Sequence, residues 1–393
     1  MGFPGFRPEE GLVGAGAGIM TKSYVISQSL PEFPLWKKMT GGRPLFSFDF
    51  DLTARCNHDC RHCYINLPAS DVAARGKELT LAEIDRIATE AVSLGAFWCL
   101  ISGGEPLLRE DFTEVYLLLK KKGLLVSVFT NATLVRESHV RLFKTYPPRD
   151  IEVTVYGVTR ETYENVTRTR GSFDAFMKGF DLLQASGLKV RLKAMALRAN
   201  VHEFAKIAEF CQGRTMDYFR FDPFLHLRYD GDKARNEEIR SERLSAEEIV
   251  ALERASEGRL RELEKTCGVH IETRTGEGGA VDLFRCGAGL ESFSLSSEGL
   301  FRLCPTLWHP DCVYDLRKGR LLDAWYGFVP EVRRRTSGKK EFLKACPSCP
   351  VIELCPWCPA HAHLESGELD DPVGFFCRIA HARAEKLGLD KRA

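Results

Sequence analysis

The fold is constrained most strongly by a regular alternation of short apolar runs and amphipathic segments across residues 46–223. The apolar runs are rich in β-branched and aromatic side chains and are bounded by turn residues, which is the pattern of strands. Six strands are predicted: Phe46–Leu52, Phe97–Ser102, Leu124–Thr130, Ile151–Tyr156, Lys189–Leu197 and Tyr218–Phe224. Parallel strands need crossover connections, and the amphipathic segments provide them. The sequence therefore predicts an α/β fold built around a parallel sheet.

The amphipathic segments carry the start signals of helices. The clearest begins at Thr80, where Glu83 completes a capping box and the apolar residues between 84 and 92 share one face. Further helices are predicted at about 110–122, 136–145, 172–186 and 201–212. Residues 230–265 are rich in charge and end in a helix predicted to begin at Ser245. We expect this stretch to be a solvated linker.

Composition excludes several classes of protein. The chain has 393 residues, of which 44% are hydrophobic, so it can bury a sizeable core. Its 55 basic and 54 acidic residues give a net charge near +1, which predicts neither a nucleic-acid partner nor a membrane surface. The sequence has no run of about 18 apolar residues, so it predicts no transmembrane helix. The N-terminus lacks the basic start and apolar stretch of a secretory signal, so we expect a cytoplasmic protein.

Cysteine usage points to metal chemistry. The chain has 14 cysteines, and in a reducing compartment clustered cysteines indicate metal or redox sites more often than disulfides. Three lie at 56–63 and eight between 286 and 377, with a cysteine-poor middle. Cys99 and Cys211 lie in apolar settings and are predicted to be core residues.

The first cysteine group directly follows the first predicted strand, where α/β barrels place their chemistry. Cys56, Cys60 and Cys63 have the spacing C-x3-C-x2-C and offer three thiolates from one loop. A cubane iron–sulfur cluster needs four ligands, so three cysteines leave one iron free for something other than protein. Two other interpretations stay open: a zinc site with His58 or His62 as fourth ligand, and ordinary buried thiols.

A turn after the second strand gives the triplet its context. The run Ser102-Gly103-Gly104-Glu105-Pro106 lies about 40 residues after the cysteines. Together, C-x3-C-x-H-C and Gly-Gly-Glu-Pro resemble the radical S-adenosylmethionine (SAM) enzymes. The resemblance implies a partial (β/α)6 TIM-like barrel and a [4Fe–4S] cluster whose open iron binds SAM. It further implies that the Gly-Gly-Glu-Pro turn binds the SAM amino group, and that reductive cleavage yields a 5′-deoxyadenosyl radical that abstracts hydrogen from a substrate.

Weaker matches follow in the same order along the chain. Thr154 resembles a family serine that contacts SAM, although the Ser-x-Asp-Gly pattern reads Thr154-Val155-Tyr156-Gly157 here and lacks its Asp. Arg168 resembles an arginine that pairs with the SAM carboxylate, a role that a guanidinium fork suits. Asn131 belongs to a Thr-Asn-Ala run that resembles a Thr-Asn-Gly turn, and His62 takes the aromatic place of the cysteine loop. No residue is nominated as a general base.

The C-terminal cysteines resemble the SPASM extension of radical SAM enzymes, which carries one or two auxiliary [4Fe–4S] clusters. The match covers the order Cys…Gly-x4-Cys, then C-x2-C-x5-C, then a last Cys; the final local gap is x2 instead of x3. The resemblance implies one cluster on Cys346, Cys349, Cys355 and Cys377, and another on Cys286, Cys304 and Cys358. Cys312 either completes the second set or is a buried thiol that leaves that cluster an open iron. Cys267 is a further candidate.

Four regions are predicted: an N-terminal extension at 1–45, the barrel core at 46–230, a linker with a charged helix at 231–280, and a SPASM domain at 281–393. The resemblance implies hydrogen abstraction from a ribosomally made peptide or protein, with an electron donor such as flavodoxin or ferredoxin and a separate leader-binding protein as partners. One alternative substrate is a small molecule such as a tetrapyrrole, through side-chain decarboxylation. An alternative of another class is a non-catalytic iron–sulfur electron carrier.

Overall fold

The computed structural model describes residues 43–215, 219–266 and 281–388. Six parallel strands correspond to the six that the sequence predicts: β1 Ser47–Thr53, β2 Trp98–Gly103, β3 Leu125–Thr130, β4 Asp150–Val155, β5 Val190–Met195 and β6 Arg220–Asp222. They are adjacent in the order β1-β2-β3-β4-β5-β6. The edge strands do not pair with one another among the described residues, which gives the predicted partial barrel. Residues 1–42, the predicted start of the sixth strand at Tyr218, and Cys267 lie outside the described residues.

Helices connect these strands and continue towards the C-terminus: α1 Val72–Lys77, α2 Leu81–Ser93, α3 Phe112–Lys121, α4 Glu137–Thr145, α5 Arg160–Thr167, α6 Ser172–Ala185, α7 Phe204–Arg214, α8 Lys233–Glu242, α9 Ala246–Ala255 and α10 Glu257–Thr266. The helix predicted at Thr80 is α2, and Thr80 and Glu83 form the expected capping box. Beyond residue 281 lie α11 Leu321–Asp323, a π-helical turn Ala324–Phe328, α12 Val329–Arg333, α13 Lys340–Ala345, α14 Pro359–Ser366 and α15 Gly374–Lys386.

The C-terminal region extends the barrel sheet. Strand β7 (Ser292–Leu295) runs parallel to β1, with Ser47 opposite Ser292 and Phe50 opposite Leu295. Antiparallel strands β8 (Leu300–Arg302) and β9 (Val313–Asp315) complete a nine-stranded sheet. The described residues from Leu45 onward form one compact unit, so the predicted boundary at 281 does not mark a break in packing.

One face of the sheet is apolar and the other carries charges. Phe48 and Phe50 on β1 are 1% exposed, and Phe48 stacks on Phe293 of β7. On the opposite face, Glu152 of β4 accepts hydrogen bonds from Lys193 at 2.9 Å and from Arg220. Strand register places these groups side by side across β4, β5 and β6. Paired charges from three adjacent strands therefore lie on this face of the sheet.

The charged helix beginning at Ser245 is not a solvated linker, contrary to the prediction. Glu253 of α9 is fully buried and accepts two hydrogen bonds from Arg383 of α15, at 2.9 and 2.6 Å. Arg383 also donates to the Leu354 carbonyl at 2.6 Å. A run of charged residues indicates a solvent-exposed helix only where no oppositely charged side chain packs against it. Here Glu253 has such a partner, Arg383, which lies 130 residues away in sequence. None of the described helices is long and apolar enough to cross a membrane.

Candidate functional site

Cys56, Cys60 and Cys63, here called the rim triplet, lie in the loop that follows β1. The loop is pinned on its outer side by backbone hydrogen bonds from Asp59 to the Thr167 carbonyl and from Arg61 to the Val166 carbonyl, both 3.1 Å. All three thiols line a single cavity at the carboxyl ends of the strands. The fold thus presents three cysteines from one loop to one space, as the spacing predicts.

The Gly-Gly-Glu-Pro turn packs directly against the start of this loop. Gly104 donates its amide to the Thr53 carbonyl at 2.6 Å, and Glu105 donates to the Arg55 carbonyl at 3.0 Å. A Cβ at Gly104 would lie 2.3 Å from the Arg55 oxygen, and Gly103 has φ of 125° and would place a Cβ 2.3 Å from the Thr53 oxygen. Only glycine fits this close approach. Ser102, Gly103 and Gly104 therefore reach the cavity wall.

Glu105 organises the site from beneath and does not line the cavity. Its carboxylate, fully buried, accepts hydrogen bonds from the Asn131 amide at 2.7 Å, the Thr130 hydroxyl at 2.8 Å and the Leu107 amide at 3.0 Å. Burial raises its pKa to about 7 although these bonds lower it. Pro106 begins the following 3-10 turn and likewise lies behind the wall. The structure gives both residues a supporting position instead of the predicted ligand contact.

The turn after β3 holds the first cysteine. The Asn131 side-chain amide donates to the Cys56 sulfur at 3.8 Å and to the Asn57 side-chain oxygen at 3.0 Å. Ala132 takes the left-handed conformation, with φ of 64°, where the resembling family turn has glycine. Asn131 lines the cavity, so this turn contributes both to the wall and to the position of the thiol.

The cavity has a volume of about 450 Å³. Of the predicted SAM contacts, His62, Ser102, Gly103, Gly104, Asn131 and Thr154 line it. His62 packs against Tyr156, with ring centroids 5.3 Å apart. The volume lies in the range of small-molecule sites. Six predicted contacts from four separate loops and strands thus converge on one space.

Arg168 is not part of this wall. It follows α5 in the left-handed conformation, and its guanidinium pairs with Asp59 at 2.9 Å and with Glu238 of α8. These contacts lie on the outer side of the cysteine loop. The prediction that Arg168 meets the SAM carboxylate is therefore not supported by its position; the arginine instead braces the loop against α8.

Sequence reasoning missed three titratable wall residues, Lys193, Asp222 and His226. Lys193 lies within β5, Asp222 ends β6, and His226 lies in the loop beyond. Burial lowers the pKa of Lys193 to about 8 and that of His226 to about 4, and it raises the pKa of Asp222. Side chains alternate between the two faces of a strand, so the sequence could have placed Lys193 and Asp222 on the inner face of the sheet. It could not have identified the cavity.

The rim triplet fits a metal cluster by its donor chemistry. Burial, followed by the charges of Glu105 and Cys63, raises the pKa of Cys56 to about 12. Burial and the charges of its two partner cysteines also raise the pKa of Cys60. Bound metal removes this penalty because it deprotonates thiols outright. Both ring nitrogens of His58, a further wall residue, are buried with no partner among the described residues, so the space also suits a polar occupant.

A single metal ion fits less well. Within the described ranges, no three His, Cys, Asp or Glu side chains are close enough to hold one ion. The cysteines of the described residues form no disulfide.

The C-terminal cysteines separate into two groups. Cys346, Cys349, Cys355 and Cys377, here called the quartet, lie on and between α13 and α15. Burial, followed by the charges of Cys377, Cys355 and Cys349, raises the pKa of Cys346 to about 12. Burial also raises the pKa of Cys355, and the charges of Cys377 and Cys349 act in the same direction. The four thiols therefore lie close enough to act on one another.

Cys286, Cys304 and Cys358, here called the trio, form the second group. Burial raises the pKa of Cys358 to about 12, with the charges of Cys304 and Cys286 acting in the same direction. Cys312 is fully buried, and Cys304 is the one cysteine whose charge acts on it. The grouping into quartet and trio, with Cys312 beside the trio, agrees with the ligand sets that the resemblance implies. Ligation itself stays a prediction.

The trio adjoins the cavity and the quartet does not. Pro305 and Thr306, which follow Cys304, line the cavity. On the other side, the His361 amide donates to the Cys358 sulfur at 3.4 Å, and the His361 ring stands 4.6 Å from that of His226 in the cavity wall. Cys99 and Cys211 are 0% and 2% exposed and lie in the core, as predicted.

Comparison with known proteins places the chain among related sequences. The family model of the Radical SAM superfamily matches residues 50–211. Fe-coproporphyrin III synthase of Methanosarcina barkeri is 30% identical over 199 residues, 51% of this chain and 47% of that protein. AdoMet-dependent heme synthase of the same organism is 24% identical over 339 residues, 81% of this chain and 92% of that protein. Bacillus subtilis subtilosin biosynthesis protein AlbA is 29% identical over 179 residues, 44% of this chain and 39% of that protein. The chain thus spans less than half of the first and third relatives.

Solved structures share the fold. Streptococcus suis SuiB bound to its precursor peptide SuiA aligns with a TM-score of 0.63 at 15% identity, over 85% of this chain and 76% of that chain. At this identity the likeness concerns the fold, and it extends through the barrel and the C-terminal region together.

Proposed function

We propose that this chain, which belongs to the radical SAM superfamily, holds a [4Fe–4S] cluster on the rim triplet and cleaves SAM to start a radical reaction. The observation that carries the proposal is the convergence of three cysteine thiols and the two glycines of the Gly-Gly-Glu-Pro turn on one cavity. Such a cluster, when bound, supplies the electron that splits SAM into methionine and a 5′-deoxyadenosyl radical. A metal site with an open position is where chemistry takes place.

The residues of the chain divide the work of binding SAM. The strand end at Ser102–Gly104 exposes backbone groups to the cavity and is proposed to meet the SAM amino group. Thr154 offers a hydroxyl, and the His62–Tyr156 ring pair offers an apolar face for the adenosine. Asn131 donates to Cys56, which favours the thiolate that a metal ligand requires.

The quartet and the trio are proposed to hold auxiliary clusters. The quartet supplies the four thiolates of a fully ligated cubane. The trio supplies three and has Cys312 beside it. Pro305 and Thr306, next to Cys304, line the cavity, and His226 in the cavity wall packs against His361, near Cys358. A cluster held by the trio would therefore lie nearer the substrate than one held by the quartet.

A ribosomally made peptide or protein is the proposed substrate. The cavity of about 450 Å³ must be shared by the proposed rim-triplet cluster, SAM and the reacting part of the substrate. One side chain of an extended peptide needs less of that space than the ring system of a tetrapyrrole, the alternative substrate. The shared fold with SuiB, which was crystallised with a precursor peptide, supports the same choice. A reductant of the flavodoxin or ferredoxin type and a separate leader-binding protein remain predicted partners.

Anaerobic reconstitution tests the proposal. The protein is expected to bind about 12 iron atoms per chain if three cubanes form, and to release 5′-deoxyadenosine from SAM on reduction. Replacing the rim triplet by alanine should remove about 4 iron atoms and the 5′-deoxyadenosine. Cys211→Ala is the matched control, because that cysteine lies in the core away from the cavity. Mass spectrometry of a precursor peptide encoded beside the gene and co-expressed with it then tests the substrate.

A tetrapyrrole substrate is the second candidate. The specific observation in its favour is AdoMet-dependent heme synthase, which aligns over 92% of its own length, well beyond the barrel. Incubation with iron-coproporphyrin, SAM and reductant should release carbon dioxide and give a mass loss of the carboxyl groups if this candidate holds. An unchanged porphyrin together with a modified co-expressed peptide would decide for the peptide.

An electron carrier without catalysis is the candidate of another class. A carrier needs no SAM site, whereas six residues predicted to contact SAM line the cavity. Reconstituted protein with a full complement of iron that releases no 5′-deoxyadenosine on reduction would favour the carrier.

A further inference from the structure

We propose that Asp222 is the catalytic proton acceptor for the substrate, a proposal that rests on the peptide-modifying function above. Asp222 ends β6 and lines the cavity on the strand opposite the edge where the rim triplet follows β1. Its carboxylate accepts one backbone hydrogen bond, from Phe224 at 2.8 Å. No side chain among the described residues donates to it, so the second oxygen is available to a substrate in the cavity.

The other titratable wall groups are less suited to this task. Lys193 is bonded to Glu152 at 2.9 Å and lies over the Phe129 ring at 4.1 Å, so its ammonium is already engaged. His226 is packed between Tyr64 and His361, at ring distances of 5.7 and 4.6 Å, and its depressed pKa of about 4 makes it a weak base. His58 and His62 lie in the cysteine loop itself. Of these cavity-lining residues, Asp222 has a carboxylate that can accept a proton and an oxygen that no other side chain occupies.

Basic side chains from three elements face Asp222. Lys193 approaches from β5, Arg259 from α10 and His361 from α14, and each lowers the pKa of the carboxyl. Burial acts in the opposite direction and prevails, so the pKa is raised. A base works best when its pKa approaches the working pH, because it then combines the correct protonation state with a strong drive to accept a proton. The setting thus brings an ordinary carboxylate towards that range.

The balance of the reaction defines the step. When a peptide is cross-linked, one C–H bond breaks and its hydrogen atom goes to the 5′-deoxyadenosyl radical. The partner group, a thiol, amide or second C–H, must then lose one proton while the new bond forms, and one electron must leave. Asp222 takes that proton, and an oxidised iron–sulfur cluster, which the C-terminal cysteines would hold, would accept the one electron. Both hydrogens and both electrons are accounted for.

Asp222→Asn in the reconstituted holoenzyme tests the assignment with the co-expressed precursor peptide as substrate. We expect 5′-deoxyadenosine release within about 3-fold of the unaltered protein, because hydrogen abstraction precedes the proton transfer. Peptide product should fall by at least about 100-fold, the usual contribution of a positioned acid or base. Freeze-quench electron paramagnetic resonance should show an organic radical that accumulates in the variant.

Two variants separate catalysis from structure. Asp222→Glu keeps a carboxylate and should restore part of the product, with the amount of product per 5′-deoxyadenosine rising as pH rises through the carboxyl pKa; Asp222→Asn should give a flat profile. Asp181→Asn, at an aspartate whose side chain is 62% exposed, should behave as the unaltered protein. Equal product from Asp222→Asn and the unaltered protein would overturn the assignment. A peptide left unmodified by the unaltered protein would instead overturn the proposed function.

Discussion

The rim triplet and the quartet have similar ligands but opposite settings. The rim triplet supplies three thiols that face a cavity of about 450 Å³ beside a glycine turn. The quartet supplies four that lie among α13, α15 and the turns between them, away from that cavity. Cys346 is 7% exposed and packs in the core. A three-thiol set facing a cavity suits chemistry, whereas a four-thiol set packed among helices suits a closed cluster.

The two regions also differ in how they are held. The rim triplet depends on backbone hydrogen bonds that Thr53 and Arg55 accept from the Gly-Gly-Glu-Pro turn. The C-terminal helices depend on a long-range ion pair between Glu253 and Arg383. Substitutions can therefore disable one region and leave the other intact. The predictions below use this separation.

The largest effect is expected from exchanging single cysteines. Cys60→Ser should reduce 5′-deoxyadenosine release to background and remove about 4 iron atoms, since a cubane seldom survives with two protein thiolates. Cys355→Ser should also remove about 4 iron atoms, yet leave SAM cleavage without substrate measurable. Equal loss of SAM cleavage in both variants would show that the two regions do not act separately.

Gly104→Ala should damage the rim without touching the quartet. The new Cβ would lie 2.3 Å from the Arg55 carbonyl oxygen, so the turn or the cysteine loop must move. We expect SAM affinity, measured by equilibrium dialysis, to fall at least about 10-fold, which is about 1.4 kcal/mol. Gly76→Ala is the control, because a Cβ there meets no atom within 4 Å. Unchanged SAM affinity in Gly104→Ala would contradict the close approach.

Glu253→Gln should weaken the anchor of the C-terminal helices. Removing one partner of a buried ion pair leaves the other charge uncompensated, at a cost of about 3–5 kcal/mol. Denaturant unfolding should show this loss, accompanied by easier proteolysis near α15. Glu257→Gln is the matched control, because its pair with Arg261 is 87% and 70% exposed and should contribute almost nothing. A stability equal to that of the control would mean that α9 does not anchor α15.

The stability of the pairing between β1 of the barrel and β7 of the C-terminal region should depend on pH. Asp49 lies on β1 opposite Ser294 of β7, and burial, aided by the charge of Asp51, raises its pKa to about 6. A raised carboxyl pKa favours the folded state while the group is protonated, so this contribution is present below about pH 4 and lost as pH rises through about 6. Asp49→Asn should therefore be more stable than the unaltered protein at pH 7, by up to about 3 kcal/mol at about 1.4 kcal/mol per pKa unit. Denaturant unfolding at pH 4 and pH 7 measures this, and equal differences at both values would contradict it.

Local sequence signals determined much of this protein. Apolar runs located all six barrel strands to within a few residues, and the capping box at Thr80 fixed the start of α2. Cysteine spacing and the glycine turn pointed to the correct end of the sheet. These signals succeed because each depends on contacts within a few residues along the chain.

Only the tertiary structure decided which side chains meet. It turned Arg168 away from the cavity, buried Glu253 against Arg383, and brought Lys193 and Asp222 to the wall opposite the rim triplet. Such meetings depend on strand register and helix packing between residues far apart in sequence, which no local pattern encodes. The cysteine spacing fixed what kind of group this protein can hold, while the folded cavity fixed what surrounds it.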